Sequence, residues 1–583
     1  MVVVVIAMTG GFIIDAGPLY LSAHRLLPPL VIAVAAYLLA VRQGHAAIVA
    51  ADANLFEFVH RHALAIAIGF AAVAAGVGIA FNTYVVAASD PSAYISQARL
   101  ITKGDLVVPV PLASQVSWPM PEMSFAPLGY RPGPQPAEIV PTYPPGLPLF
   151  MAIALLVAGE NGPFFVGPFF AAVAVLGAHC LAARLHSRTA GVTAAALMTF
   201  SPLLLSQVVQ SMSDIPATAV WTLAVLAALA ARPITAGVLS ALAIPVRPSL
   251  LPVAAVVALV LVRWSKQGIT SRRAAFNTLI KFAAAAVPAI VVLAWTQWSL
   301  YGDPFASGHG TFAQMFSIRN VLPNIREYTI RVLTGETPVL VLLAASAVAF
   351  FVAPRRVSAG LKSTTHPTVV TPTAIASVRI AALVAMPVLA CYLAYSVFTD
   401  WSYLRFLLPI WPAAFAAAGA IIVNARVHLS PAIRTQVLLV ALTAVCARNV
   451  LTAAHEGSFT LWADALRYGT AGRYLDAVLP KNAVIVASEH SGSASYYTGR
   501  PILRWDSAIS LDEAIDELTR LGRKPVIVLE SWEEPLLRRR FPSSPLARLD
   551  WPARADFGRV TRVRFFDPAD REHPTGRKPD RLP

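Results

Sequence analysis

A chain of 583 residues that is 56% hydrophobic and only 13% charged is too apolar for a string of soluble domains. Apolar runs of about 18 residues or more recur from residue 26 to residue 452, so the chain reads as a polytopic α-helical membrane protein. Its formal charge of +15 gives no reason to expect nucleic acid, because the arginines gather in short loops between spans and in the C-terminal tail. All three cysteines, Cys180, Cys391 and Cys446, lie inside apolar runs, which excludes a disulfide framework and a Cys-rich metal site.

The first run, 2–21, is weakened as a span by Gly10, Gly11, Asp15 and Pro18, and it lacks the basic start and cleavage site of a removed signal peptide. Candidate spans follow at 26–42, 63–85, 164–184, 189–208, 214–231, 276–298, 336–353, 377–398, 403–424 and 435–452. Between 234 and 263 two shorter runs meet at Arg247 and Pro248, as two short helices or a broken hairpin, so the expected total is about 11–13 transmembrane helices. Short loops rich in Arg and Lys, such as Arg263 to Arg273 and Arg355 to Lys362, are expected to face the cytoplasm. Residues 86–163, the turn at Ser211 to Asp214, the loop 299–335, the turn at Asp400 to Arg405 and everything past 452 then share the extracytoplasmic face.

Residues 1–62 read as an N-terminal membrane segment and cytoplasmic linker, 63–452 as the main transmembrane domain with 86–163 as its first outer loop, and 453–566 as a small soluble α/β domain on the outer face. In the last, Ala483 to Ser488, Pro525 to Glu530 and Val560 to Phe566 are strand candidates. Ser510 to Gly522 reads as an amphipathic helix with Ser510 as N-cap. The Pro, Arg and Asp content of 567–583 predicts a disordered tail.

Candidate site residues fall on the outer face. Asp90 and Pro91 open a helix that Gly104 closes, with Asp90 as the expected N-cap and Tyr94 one turn on. A capping Asp contributes about 0.5–2 kcal/mol and needs no chemistry. What points further is depth, since an ionised carboxylate near hydrocarbon costs roughly 3 kcal/mol unless it borders water or a partner. Tyr143, Pro144, Pro145 and Gly146 precede an apolar run, 147–158, too short to span and suited to the interface. Asp214 is a second Asp at a helix start on the same face. Arg247 lies inside an apolar stretch and Arg405 at the outer end of a span; each either contacts an anionic phosphate or snorkels to headgroups. His309 sits between Gly308 and Gly310, where a solvated turn is the plain reading.

Asp90, Tyr94, Ala98, Leu100 and Gly104, then Tyr143, Pro144, Pro145 and Gly146, then Ser213, Asp214 and Pro216, resemble the GT-C fold membrane glycosyltransferases, in the branch of aminoarabinose transferases and protein mannosyltransferases. The run Arg405, Phe406, Leu407, Leu408, Pro409 is similar to an Arg-Tyr-Leu-Leu-Pro run of that group. The resemblance implies a multi-pass cell (inner) membrane enzyme of the cell envelope that moves a hexosyl or pentosyl group from a polyprenyl-phosphate donor to a hydroxyl of a glycan, lipid or protein acceptor. It further implies Asp90 as general base, with Asp214 in the same cavity. Direct attack at the anomeric carbon would invert its configuration, and Arg247 and Arg405 are candidates for the donor phosphate. Tyr94, Tyr143 and His309 are candidates for substrate contact. Several relatives carry a basic residue beside the Tyr-Pro-Pro element where this chain has Thr142. No cofactor is called for; Asp and Glu are too sparse on this face to define a metal site, and a divalent metal is left open. The competing class is a transporter or flippase of lipid-linked saccharides, in which charges more often lie near the midplane.

Overall fold

The computed structural model describes residues 45–263, 271–341 and 372–573, with short pieces at 12–16, 19–23 and 578–582 and a few isolated positions. The protein is a multi-pass helical membrane protein with a C-terminal α/β region. Among the described residues six helices are long and apolar enough to cross a membrane: Ala63–Ala80, Gly146–Leu185, Arg272–Tyr301, Pro372–Ala394, Trp401–His428 and Arg434–His455. Asp214–Leu229, Pro233–Ala243 and Pro248–Arg263 are shorter apolar helices beside them. The expected spans at 26–42 and across most of 336–353 fall outside the described residues.

Several expected spans are interrupted, each for a local reason. The run 189–208 splits into Arg188–Thr199 and Pro202–Gln207, because Pro202 cannot donate into the preceding turn and the Ser201 hydroxyl restarts the helix by accepting from the Leu204 amide at 3.4 Å. The run 403–424 begins as 3₁₀ turns, Trp401–Ile410, before becoming α-helical at Trp411, with Pro409 and Pro412 at the change. Residues 234–263 form two short helices with Arg247 in the turn between them. Near the N-terminus, β1 (Phe12–Ala16) and β2 (Leu19–Ala23) pair antiparallel.

Alanine and glycine set the closeness of the bundle. Helices Arg188–Thr199 and Trp411–Ala425 approach until a Cβ added at Gly419 would stand 2.5 Å from the Ala190 carbonyl. Small residues that let backbones meet are the usual solution where water supplies no drive between helices.

The first loop carries helix Asp90–Lys103 and a three-stranded antiparallel sheet of β3 (Val108–Pro109), β4 (Tyr130–Pro132) and β5 (Glu138–Pro141), in the order β3-β5-β4. At the other end of the chain, helix Leu461–Val478 leads into β6 (Ala483–Val486), β7 (Ile502–Leu503), β8 (Lys524–Glu530), β9 (Ala555–Phe557), β10 (Val563–Phe566) and β11 (Asp580–Leu582). Their order is β11-β9-β10-β8-β6-β7, with β6 parallel to both neighbours and β10 antiparallel to both of its own. Ser510 caps helix Leu511–Arg520 by accepting from the Glu513 amide, and Gly522 follows with φ +70°.

Two expectations are corrected here. The tail past Asp567 is structured in its described parts: β11 adds to the sheet edge, the Tyr474 hydroxyl donates to Asp580 at 2.8 Å, and Arg554 forks onto Asp570 at 2.6 and 2.8 Å. Its charges disguised a strand whose partners lie far away in sequence. Nor is the C-terminal region a separate unit. Val110, Leu112, Phe125 and Ile139 of the first loop share a buried core with Val484, Leu503, Trp505 and Phe566.

Candidate active site

Asp90 is the first helical residue rather than the cap. Ser89 occupies the N-cap position, and no side chain there bonds to the helix amides. The Asp90 carboxylate therefore turns away from its own helix. Oδ1 accepts from the Tyr143 hydroxyl and, at 3.3 Å, from the Ser89 hydroxyl; Oδ2 accepts from Arg405 Nη2 at 3.0 Å. Gly104 ends the helix as expected, left-handed at φ +81°, with its amide on the Ile101 carbonyl.

Asp214 likewise begins its helix after Ser213 and is 1% exposed. Its Oδ1 accepts from Arg247 Nη1, while Oδ2 has no partner among the described residues. Arg247 is placed by the turn that precedes Pro248, with its guanidinium 5.1 Å from the Phe406 ring and 5.6 Å from Tyr392. Gly146 explains part of the Tyr-Pro-Pro-Gly element. Its amide donates to the Pro245 carbonyl at 2.9 Å, and any Cβ there would collide with the backbone of Pro245 and Val246, one residue from Arg247. The element thus holds Asp90 through Tyr143 and fixes the Arg247 turn through Gly146.

The two ion pairs are neighbours. Arg405 feels the charges of both Asp90 and Asp214, so acids and guanidinia alternate through the site. Tyr94 packs on Tyr143 at 4.6 Å between ring centres, with its hydroxyl donating to Ser213 at 3.2 Å. His309 meets Tyr143 edge-on at 4.8 Å. Burial, then the Asp90 charge, raises both phenols well above their usual pKa, so Tyr94 and Tyr143 stay protonated as donors. His309 is carried there by a loop that packs against the first, since a Cβ at Gly308 would strike the Thr142 backbone.

A cavity of about 270 Å³ opens at Asp90. Arg405, Met212 and Tyr403 line it on the bundle side, and Asp464, Arg467 and Tyr468 of helix Leu461–Val478 line it opposite. Asp214, Arg247, Tyr94, Tyr143 and His309 are not among its lining residues. Asp214 is buried behind it and bonded to Arg247. Polar and aromatic residues of the C-terminal region dock it onto the first loop. Tyr497 accepts from the Val86 amide at 2.9 Å, Ser491 from the Leu128 amide at 2.9 Å, and Tyr496 lies under Arg99 at 3.9 Å.

Residues unmarked in the sequence complete the site. Arg131 donates to the Ser307 carbonyl at 3.1 Å and acts on His309 by its charge, bringing a cation to the side where Thr142 replaces a basic residue. Arg467 and Tyr468 had no local signal at all, whereas Tyr403 and Phe406 stand inside the run that marked Arg405. As for a divalent ion, both acids face guanidinia, and among the described residues no three His, Cys, Asp or Glu side chains converge to hold a metal. These residues do not fit a metal, and no step below uses one.

No family model and no curated protein matches the chain. Among solved structures it is similar to ArnT from Cupriavidus metallidurans bound to undecaprenyl phosphate, at 11% identity over 85% of this chain and 97% of that one, with a TM-score of 0.47. The apo state of the same protein gives 12% identity over 85% and 97%, with a TM-score of 0.47. An Archaeoglobus fulgidus oligosaccharyltransferase tethered to an acceptor peptide gives 13% identity over 88% of this chain and 74% of that one, with a TM-score of 0.44. Both are GT-C fold glycosyltransferases.

Proposed function

We propose that this chain is a GT-C glycosyltransferase that moves a sugar from a polyprenyl-phosphate carrier to an acceptor hydroxyl on the extracytoplasmic face of the cell membrane, with inversion. One observation carries the reading: the Asp90 carboxylate does not cap its helix but stands at a cavity, aimed by Tyr143 and Arg405. An acceptor hydroxyl is a poor nucleophile near neutral pH, and a positioned carboxylate that takes its proton during attack contributes roughly 10²- to 10⁴-fold. The new bond forms from acceptor oxygen to anomeric carbon, the bond from that carbon to the phosphate oxygen breaks, and the electron pair leaves with the lipid phosphate.

The departing phosphate needs positive charge. Arg405 binds Asp90 through one of its nitrogens and keeps a buried Nε with no partner among the described residues. Arg247 uses Nη1 on Asp214. Both guanidinia retain N–H groups for phosphate oxygens in a water-poor site, where such bonds are strongest. Asp214 serves as a positioning residue that holds Arg247, and Tyr143 as one that holds the Asp90 carboxylate.

In membranes supplied with a polyprenyl-phosphate sugar, Asp90→Asn should lower transfer by about 10²-fold or more while leaving expression and thermal unfolding unchanged. Unaltered turnover in the folded variant overturns the assignment of the base. Movement of the intact lipid-linked sugar with no bond cleaved overturns the enzyme reading in favour of a carrier.

A further inference from the structure

Helix Val321–Gly335 carries its polar side inward. A surface helix ordinarily buries its apolar side and exposes its polar one. Here Asn324, Tyr328 and Arg331 are buried, Asn324 to 1% exposure, while Leu322, Ile325, Ile330 and Leu333 stand outside. Leu322 is 76% exposed, and Ile318, in the 3₁₀ turn just before the helix, 85%. Arg331 is occupied on the inner side, donating to the Phe398 carbonyl at 2.9 Å and to Glu327 at 2.8 Å.

The inward groups fix the level of the helix. The last four carbonyls of any helix lack donors of their own. For the span Pro372–Ala394 the donors come from here: the Asn324 side chain reaches the Leu393 and Tyr395 carbonyls at 3.0 and 2.7 Å, and the Ser317 amide and Asn320 side chain reach that of Ala394 at 2.8 and 3.3 Å. Helix Val321–Gly335 therefore lies at the end of a span, where hydrocarbon gives way to headgroups. It is the end that carries the site, since Tyr392 stacks on Phe406 at 4.9 Å, beside Arg405. The span leading into this loop, Arg272–Tyr301, exposes Trp295 and Trp298 in its last two turns, and tryptophan is favoured at the membrane boundary. Arg319 and Arg326 are exposed next to the apolar residues, and neither meets an acid among the described residues.

We infer that helix Val321–Gly335 lies in the headgroup layer of the bilayer, with its apolar side on acyl chains and Arg319 and Arg326 on the phosphates of anionic phospholipids. An apolar stripe of this kind is unfavourable against water and matched by hydrocarbon, and long basic side chains beside it reach the headgroups. The inference stands apart from the proposed transfer reaction.

A photoreactive benzoylphenylalanine in place of Leu322 tests this, in the full-length protein held in nanodiscs of equal parts phosphatidylcholine and phosphatidylglycerol. Irradiation should add the mass of a phospholipid to the intact protein, whereas the same group in place of Asp516, exposed on helix Leu511–Arg520, should add none. Phosphatidylglycerol adducts should outnumber phosphatidylcholine adducts. Arg319→Gln and Arg326→Gln should each lower that ratio about fivefold, the preference one arginine near an anionic surface supplies. An adduct of twice the protein's mass would make this side a contact between two copies and overturn the inference. So would the absence of any adduct, equal capture of the two lipids, or a ratio that neither substitution moves. With undecaprenyl phosphate added to the nanodiscs, capture of that lipid in place of phosphatidylglycerol overturns it as well.

Discussion

Asp214 and Arg247 form a pair in which neither charge has water to fall back on, at 1% and 13% side-chain exposure. Arg247→Ala would strand a buried carboxylate, and breaking such a pair from one side costs about 3–5 kcal/mol. The expected outcome in detergent is a marked fall in the thermal midpoint together with weaker donor use. Asp214→Leu combined with Arg247→Met should recover the midpoint, because an apolar pair of similar volume is tolerated, yet should not recover transfer. Recovery of both would show that Arg247 is purely structural. At this scale the sequence was informative where a residue stood in a run with a chemical reason for its neighbours. Asp90, Tyr143 and Arg405 were all marked, and Asp90 meets Arg405 across 315 positions. Arg467 was not, since a base in a charged region looks like surface until its partners are known.

Among the elements, the Tyr-Pro-Pro-Gly turn does two things that local sequence could not separate. Tyr143 aims the carboxylate, and Gly146 leaves room for the Arg247 turn to lie against it. Gly146→Ala would force the Pro245 to Val246 backbone away, because backbone cannot yield as a side chain can. Transfer should fall more than stability does, and a steady-state assay should locate the loss in donor half-saturation. An Ala variant with unaltered kinetics would detach the turn from the site. Helix boundaries set by Pro and Ser, at Ser201 and Pro409, were hidden inside apolar runs of spanning length. Hydropathy sees composition, and these breaks lie in hydrogen bonding.

For the molecule as a whole, the C-terminal region is held to the bundle by close contact as well as by its shared core. A Cβ at Gly492 would strike the Ser92 hydroxyl of helix Asp90–Lys103. Gly492→Leu should part the two surfaces, seen as faster proteolysis between residues 453 and 483 and reduced transfer; unchanged digestion would argue against a fixed roof. The region also carries a pH dependence. Burial by itself would raise the Glu530 carboxyl, but His490 and Arg467 outweigh it and hold it at about 2, below the ordinary 4.5. A depressed carboxylate stabilises above its unfolded pKa, so about 3 kcal/mol is present above pH 4.5 and is lost as pH falls toward 2. Thermal unfolding should show this acid limb, flattened in Glu530→Gln. The sheet was foreshadowed by strand-length apolar runs, while its union with the first loop was not, because a core shared between residues 110 and 566 leaves no periodic trace.

That union has a consequence for how the protein is made. The Val86 amide waits for a hydroxyl 411 positions later, and the Leu128 amide for one 363 positions later. Chains emerge from the ribosome N-terminus first at roughly 5–20 residues per second. The first loop therefore exists for roughly 20–80 seconds before its partner is synthesised, with Leu112, Phe125 and Ile139 uncovered. A nascent chain halted before residue 484 therefore holds the loop without the strands that complete its core, and its apolar side stays open until synthesis resumes.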